Sequence, residues 1–297
     1  MAAKQTLLVT GAAGHLGRRV VELLIDANAW KLIATTREPA KLADLKARGV
    51  DVRKADFSDA ASLGKTFAGA DRLLLISTDV LHTPGLRLNQ HRNAIKAAAE
   101  TGVKHLVYTS GPSPYPKAGG SLLDDHFWTE QAVIASRLEW TILRHHLYSD
   151  NLLGTLPNAI KTGSLVSAAA DGGTNYVTRE DCAATDAAAL NSEWSGRRIL
   201  DVTGPAPVTR DEVAAIAAEL TGRKIKHVRV SAEDYTKQMA SAGLPPFVID
   251  LVVGFDVQAA QGYHALVTST VKELSGRAPT TLRDFLASRR SALTTSS

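Results

Sequence analysis

Short apolar runs alternate with segments of helical period through the first half of the chain. Leu7-Leu8-Val9-Thr10 reads as a strand, and it turns through Gly11, Gly14 and Gly17 straight into an amphipathic helix carrying Arg18-Arg19-Val20-Val21. A second strand is predicted over residues 30–36, with Trp30 at its head, and Pro39 suits the first turn of the helix behind it. A third covers residues 50–54, and Ser58 or Asp59 can cap the helix that follows. Residues 72–77 are almost continuously apolar, as a parallel strand buried on both faces would be. After a polar loop at 79–84, a helix holding Gln90-His91-Arg92-Asn93 leads to a fifth strand at 105–110. The loop at 111–120 is rich in turn formers and reads as a flexible cover over a site. A helix through Asp124-Asp125-His126-Phe127-Trp128-Thr129-Glu130-Gln131 then precedes a sixth strand at 140–144.

Six strand-helix alternations before residue 150 predict an α/β fold built on a doubly wound parallel sheet. Beyond that point residues 175–181 read as a strand entering a capped helix, and 198–202 as a further strand. Thr209-Arg210-Asp211-Glu212 has the capping-box pattern, Gly243-Leu244-Pro245-Pro246 opens an apolar helix, and residues 294–297 are expected to fray. Residues 1–150 are therefore expected to form the main domain. Residues 151–297 form a smaller C-terminal α/β lobe packed on it.

A chain of 297 residues with 44% hydrophobic content can bury a sizeable core. The net charge of +4 is small, and Lys and Arg are spread along the chain, so no nucleic-acid partner is indicated. No apolar run approaches a membrane span, and the opening residues lack the apolar core of a signal peptide. The single cysteine, Cys182, excludes an intrachain disulfide and suits a reducing compartment, where it reads as a small buried residue. These features predict a cytoplasmic protein, a monomer or a homodimer.

The chemistry begins at the glycines. Gly11 lets the chain turn off the strand, Gly14 lets backbone approach a pyrophosphate, and Gly17 lets the helix pack on the sheet. The spacing is G-x-x-G-x-x-G, and the amides at the start of the following helix favour a phosphate. Thr10, Gly11, Gly14, His15, Leu16 and Gly17 are thus the expected dinucleotide cradle. Arg37 stands where an NAD-selective site carries an acid, and Lys41 lies one turn onward, so a 2′-phosphate is favoured, with Glu38 weakening the case slightly. Asp56 and Phe57 are expected to edge the adenine. Ser77, Thr78 and Ser110 leave strand ends that face the cofactor. The adjacent His145 and His146 point apart on an extended segment and predict no metal site.

A hydride-transfer site that reduces ordinary ketones needs an acid, and short-chain dehydrogenases supply it with Tyr-x-x-x-Lys after the fifth strand. Here that spacing holds Phe127 and Gln131, so such chemistry is not expected. The sequence resembles the NmrA-like atypical short-chain dehydrogenases, and within them NADPH-dependent quinone oxidoreductases and triphenylmethane dye reductases. The resemblance rests on Gly11 to Gly17, Arg37 with Pro39-Ala40-Lys41, Leu73-Leu74-Leu75-Ile76-Ser77, Gln90-His91-Arg92-Asn93 and Tyr108-Thr109-Ser110. It continues through His126 with Thr129-Glu130, Leu143-Arg144, Tyr148-Ser149 with Asn151 and, more weakly, Ala169-Ala170-Asp171-Gly172. It departs at Gln131, where such relatives can carry lysine, and at His145-His146, where they carry a smaller pair.

The resemblance implies a Rossmann fold binding NADP(H), with Arg144, His145 and His146 against the nicotinamide half and an acceptor pocket between the lobes. It also implies reduction of quinones or cationic dyes, which fits the missing acid, because a quinone accepts hydride to give a stabilised phenolate. Tyr148 is the expected hydrogen-bond donor to acceptor or nicotinamide, and His126 a proton source near pH 7. The alternative is a non-catalytic NADP(H)-binding redox sensor of the NmrA type. A sugar-nucleotide epimerase is disfavoured by the absent Tyr-x-x-x-Lys.

Overall fold

The computed structural model describes residues 5–27, 31–117 and 121–294. The expected strand head at Trp30, the end of the loop at 118–120, the opening residues 1–4 and the terminal residues 295–297 lie outside the described residues.

The chain starts with β1 (Thr6–Val9), α1 (His15–Asp26), β2 (Lys31–Thr36), a 3-10 turn at Pro39–Leu42 and α2 (Ala43–Ala47). Next come β3 (Asp51–Lys54), α3 (Ala60–Phe67), β4 (Arg72–Leu75), α4 (Leu86–Glu100), β5 (His105–Ser110), α5 (Leu122–Ala135) and β6 (Glu139–His145). They are followed by α6 (Leu152–Thr162), β7 (Ser164–Ser167), β8 (Thr174–Asn175), α7 (Arg179–Leu190), β9 (Arg197–Val202) and β10 (Pro207–Val208). The order closes with α8 (Arg210–Thr221), β11 (Lys226–Arg229), α9 (Ala232–Ser241), α10 (Pro246–Ala260), α11 (Thr270–Ser275), α12 (Leu282–Ser288) and α13 (Arg290–Thr294).

Seven strands form one parallel sheet in the order β3-β2-β1-β4-β5-β6-β9, the doubly wound arrangement expected. Leu73, Leu74 and Leu75 do not reach solvent at all, which accounts for the unbroken apolar run of β4. The strand order reverses between β1 and β4. Their exit loops therefore part to either side and open a crevice at the carboxyl edge of the sheet.

The chain divides into two compact units. The first comprises the residues up to His145 with Glu180–Val202 and Glu273–Gly276, and the second comprises His146–Arg179, Thr203–Lys272 and the residues from Arg277 onward. The expected division at residue 150 is corrected here. The strand expected at 198–202 in the smaller lobe is β9, which pairs with β6 from Trp140 opposite Arg197 to His145 opposite Val202. A buried side chain accounts for this return of the chain. Arg72 on β4 donates from Nε to the Leu190 carbonyl at 2.8 Å and from its two amino groups to Trp194 and Ala189 at 3.1 and 3.2 Å. It thereby closes the carboxyl end of α7, and burial lowers its pKa to about 10.

In the second unit β7 pairs with β11 in parallel and β8 with β10 antiparallel. Leu156, Tyr176, Val213, Phe285 and Leu286 form its core. The capping box expected at Thr209 is present, its hydroxyl accepting from the Glu212 amide while the Glu212 carboxylate accepts from the Thr209 amide. Arg210 pairs with the buried Asp256 at 2.7 Å and also bonds the Tyr176 hydroxyl, and Asp256 accepts the Ala168 amide at 2.8 Å. Among the described residues no helix is long and apolar enough to cross a membrane.

Candidate functional site

The crevice between β1 and β4 is a cleft of about 360 Å³, built wholly from the first unit. Its floor is the glycine turn. Gly11 has φ +61°, and Gly14 closes the turn by donating its amide to the Gly11 carbonyl at 2.9 Å. A Cβ on Gly17 would stand 2.5 Å from that same carbonyl oxygen, so the packing of α1 on the turn demands glycine there. Gly14 is different: a Cβ would meet only the Gly11 oxygen at 3.4 Å, and the residue lines the cleft. The fold tolerates a side chain at 14, and its absence keeps the cleft open. Gly14 is also the N-cap of α1, and no side chain caps the helix, so the positive end of α1 is left for an anion.

The rim is charged. Arg37, Glu38, Lys41 and Asp79 all line the cleft. Arg37 approaches Asp79 at 3.9 Å and Lys41 bonds Glu38 at 2.7 Å, every one of these side chains being more than half exposed. Lys41 pulls the Glu38 carboxyl below its usual pKa. Beyond the rim, Ala55, Phe57 and Ile76 make an apolar wall, with Asp56 and Gln90 beside it. Asp59 occupies the N-cap position of α3 without making a side-chain cap bond, while Asp56 accepts the Ser58 amide at 2.9 Å.

The loop leaving β4 is pinned residue by residue. The Ile76 amide donates to Thr10 Oγ1 at 2.9 Å, the Ser77 amide to Thr109 Oγ1 at 3.0 Å, and the Thr78 amide to His91 Nε2 at 2.9 Å. Arg87 Nε holds the Thr78 carbonyl at 2.7 Å. Because His91 Nε2 accepts, its Nδ1 carries the proton toward Thr129 Oγ1 at 2.9 Å. The same logic fixes His126: its Nε2 faces an Arg87 amino group at 3.1 Å, so its Nδ1 donates to the Tyr108 hydroxyl at 2.8 Å. Burial, reinforced by the Arg87 charge, holds both histidines well below the ordinary imidazole pKa. Burial likewise raises the Tyr108 phenol.

Of the expected cofactor residues, Gly11, Gly14, Arg37, Lys41, Asp56, Phe57, Ser77 and Thr78 come together in the cleft lining. Thr10 does not: it is fully buried, and its hydroxyl donates to the Leu74 carbonyl at 3.0 Å and fastens Ile76. Gly17 is buried by helix packing, and His15 and Leu16 open α1 outside the lining. Ser110 turns to Glu130 at 2.7 Å, and Arg144 grips the same carboxylate through Nε at 2.9 Å and an amino group at 2.7 Å. His145 bonds Asp186 at 2.9 Å. Tyr148 and His146 belong to the second unit, with the Arg179 guanidinium 5.0 Å from the Tyr148 ring centroid.

His126, expected as a proton source, lies outside the cleft lining: both ring nitrogens are engaged, and burial holds its pKa well below the ordinary imidazole value. Thr35, Thr36, Ile76, Asp79 and Val80 line the cleft without having been singled out as site residues. Their positions at the exits of β2 and β4 are the available signal, since ligands gather at such ends. Among the described residues no group of three or more His, Cys, Asp or Glu side chains is placed to hold a metal.

A family model described as NAD(P)H-binding matches residues 11–193. The chain is 34% identical over 286 residues to quinone oxidoreductase 2 of Escherichia coli (strain K12), covering 95% of this chain and 97% of that protein. The solved structure of the NADPH-dependent quinone oxidoreductase from Escherichia coli, complexed with NADPH, is similar with a TM-score of 0.88 at 34% identity, covering 97% and 100% of the two chains. Triphenylmethane reductase of Citrobacter sp., complexed with NADP(H), is similar with a TM-score of 0.85 at 31% identity, covering 96% and 99%. The negative transcriptional regulator NmrA, complexed with NAD, is similar with a TM-score of 0.73 at 15% identity, covering 96% and 94%, a likeness of fold alone.

Proposed function

The chain belongs to the NAD(P)H-binding family, in its NmrA-like branch, and from that premise we propose an NADPH-dependent oxidoreductase that passes hydride to a quinone-like or other electron-poor aromatic acceptor. The observation that carries this reading is the 34% identity to a quinone oxidoreductase along 95% of the chain. When bound, NADPH supplies the hydride. Gly11, Gly14 and the first turn of α1, with His15 and Leu16, cradle the pyrophosphate, and the open, uncapped helix end fits that role. Arg37 and Lys41 pair with the 2′-phosphate. Asp56 and Phe57 edge the adenine, while Ser77 and Thr78 flank the nicotinamide half on a loop that the sheet holds still.

Ser110 and Arg144, braced on Glu130, stiffen the strand ends toward that half, and His145 and His146 follow Arg144 on the same exit. Tyr148 takes the hydrogen bond to the acceptor. A quinone that accepts hydride becomes a stabilised phenolate, and water can protonate it, so no dedicated acid is required. This suits a chain without Tyr-x-x-x-Lys whose His126 is sealed in the core. The first unit acts as the cofactor half, and the second supplies the acceptor half. Its single cysteine and dispersed charge suit a cytoplasmic monomer or homodimer with no nucleic-acid partner.

The test is NADPH oxidation, followed by its own absorbance, with small quinones and one triarylmethyl dye beside an NADH control. Saturable, NADPH-selective turnover is expected. Tight NADPH binding with no turnover of any acceptor would replace this reading with the sensor.

A further inference from the structure

Gln90 has a chemistry that the phosphate-binding end of the cleft does not use. It lies on α4, lines the cleft and is only 7% exposed. Its Nε2 donates to Ser58 Oγ at 3.0 Å, whereas its Oε1 is buried with no hydrogen-bond partner. Three residues on, Asn93 Nδ2 donates to the Phe57 carbonyl at 2.9 Å. Two bonds from one face of α4 therefore fix Gln90 against the loop that leaves β3. A buried acceptor left without a donor is costly. A donor arriving from outside the chain would relieve that cost.

The surroundings narrow the donor to one class. Phe57, Ala55 and Ile76 give apolar walls suited to a flat ring, and Asp56 adds a carboxylate at the edge. With the pyrophosphate over the β1 turn and the 2′-phosphate at Arg37 and Lys41 after β2, the base of the dinucleotide lies toward the exit of β3. That is where Gln90 is tied.

We propose that Gln90 reads the base: its Oε1 accepts the exocyclic amine of adenine and selects a 6-aminopurine dinucleotide over a 6-oxopurine one. The inference rests on the NADPH reading given above. With a 6-oxopurine, carbonyl would face carbonyl unless the amide turned and gave up its donation to Ser58. Discrimination of this kind is strong because a site built for an N–H penalises its absence.

Equilibrium binding tests this without turnover. The fluorescence of the reduced nicotinamide is titrated for NADPH, its hypoxanthine analogue and NADH, on the wild-type chain, Gln90→Met and Gln90→Glu. The wild-type chain is expected to bind NADPH about tenfold or more tighter than the hypoxanthine analogue, which equals about 1.4 kcal/mol. Gln90→Met, similar in length but without the acceptor, should bring that ratio near one while leaving the NADPH-to-NADH ratio in place. Gln90→Glu keeps an acceptor and should retain the preference. Equal wild-type affinity for the two purines, or full discrimination in Gln90→Met, overturns the proposal while leaving the cofactor reading intact. No wild-type affinity for NADPH removes the cofactor reading and Gln90's role with it. If Gln90→Met fails to fold, the wild-type ratio still decides.

Discussion

Arg37, Glu38, Lys41 and Asp79 stand in water at the mouth of the cleft, while Arg87, His91, His126 and Tyr108 lie sealed behind Thr78. The two groups use similar side chains to opposite ends. The exposed pairs are loose or local, 3.9 Å between Arg37 and Asp79 and three residues apart for Lys41 and Glu38, and such solvated pairs are weakly held. An arriving phosphate can therefore recruit the two cations. The sealed group is committed: Arg87 is 2% exposed, and its bonds to Thr78 and His126 leave one carboxylate, Asp125, at 3.9 Å. Removing one member of such a network leaves a buried charge or donor without its partner. Binding is assigned to groups that can move, and stillness of the backbone to groups that cannot.

The largest effect that separates the two roles is expected at the glycines. Gly14→Val should leave the fold intact and weaken NADPH binding on the order of a thousandfold, because its methyl groups would enter the cleft at the turn proposed to cradle the pyrophosphate. Gly17→Ala should do the reverse, lowering the melting temperature through its clash with the Gly11 carbonyl. A Gly14→Val protein with normal NADPH affinity by titration would remove the assigned cradle.

Acid should break the buried layer next. His91 and His126 are held neutral well below the ordinary imidazole pKa, and burial beside Arg72 lowers His105 to about 3. In the unfolded chain each takes a proton near pH 6.5, so its contribution is intact above that value and is lost as pH falls below it. The slope is up to about 1.4 kcal/mol per pH unit for each histidine. Urea unfolding should therefore show a lower midpoint at pH 5 than at pH 7. An unchanged midpoint would contradict the neutral, sealed network.

Smaller effects belong to the rim. Arg37→Ala should weaken NADPH binding about tenfold to a hundredfold, the worth of a charge-assisted bond, and leave NADH nearly unchanged. Equal losses for both cofactors would show that Arg37 does not read the 2′-phosphate. Glu38→Gln should strengthen NADPH binding about two- to fivefold by releasing Lys41, an effect that ought to shrink in high salt.

The cleft was legible in the sequence because its main parts are local. Gly11, Gly14 and Gly17 sit within seven residues of one another, and Arg37 follows the next strand at the distance a ribose contact requires. β1, β2, β4, β5 and β6 were legible too, because each carries an apolar run of its own. What the sequence hid is long-range. His91 meets Thr78 and Thr129, and Arg87 meets His126, across 13, 38 and 39 residues, so their neutrality and tautomers depend on packing. The strand at 198–202 was visible, but its place beside β6 was not, because a parallel neighbour is chosen by the crossover and by anchors such as Arg72. β7 and β11 went unread: Ser164–Ser167 and Lys226–Arg229 are mostly half-buried or exposed and carry no sustained apolar alternation.

The proposed chemistry requires direct hydride transfer from NADPH held in this cleft. It is tested most directly by one anaerobic turnover of the NADPH-loaded protein with a small quinone, using NADPH with and without deuterium at the transferred position. One hydroquinone is expected for each NADPH consumed, with a slower step for the deuterated cofactor. NADPH that stays bound and reduced in the presence of every quinone tried would contradict it.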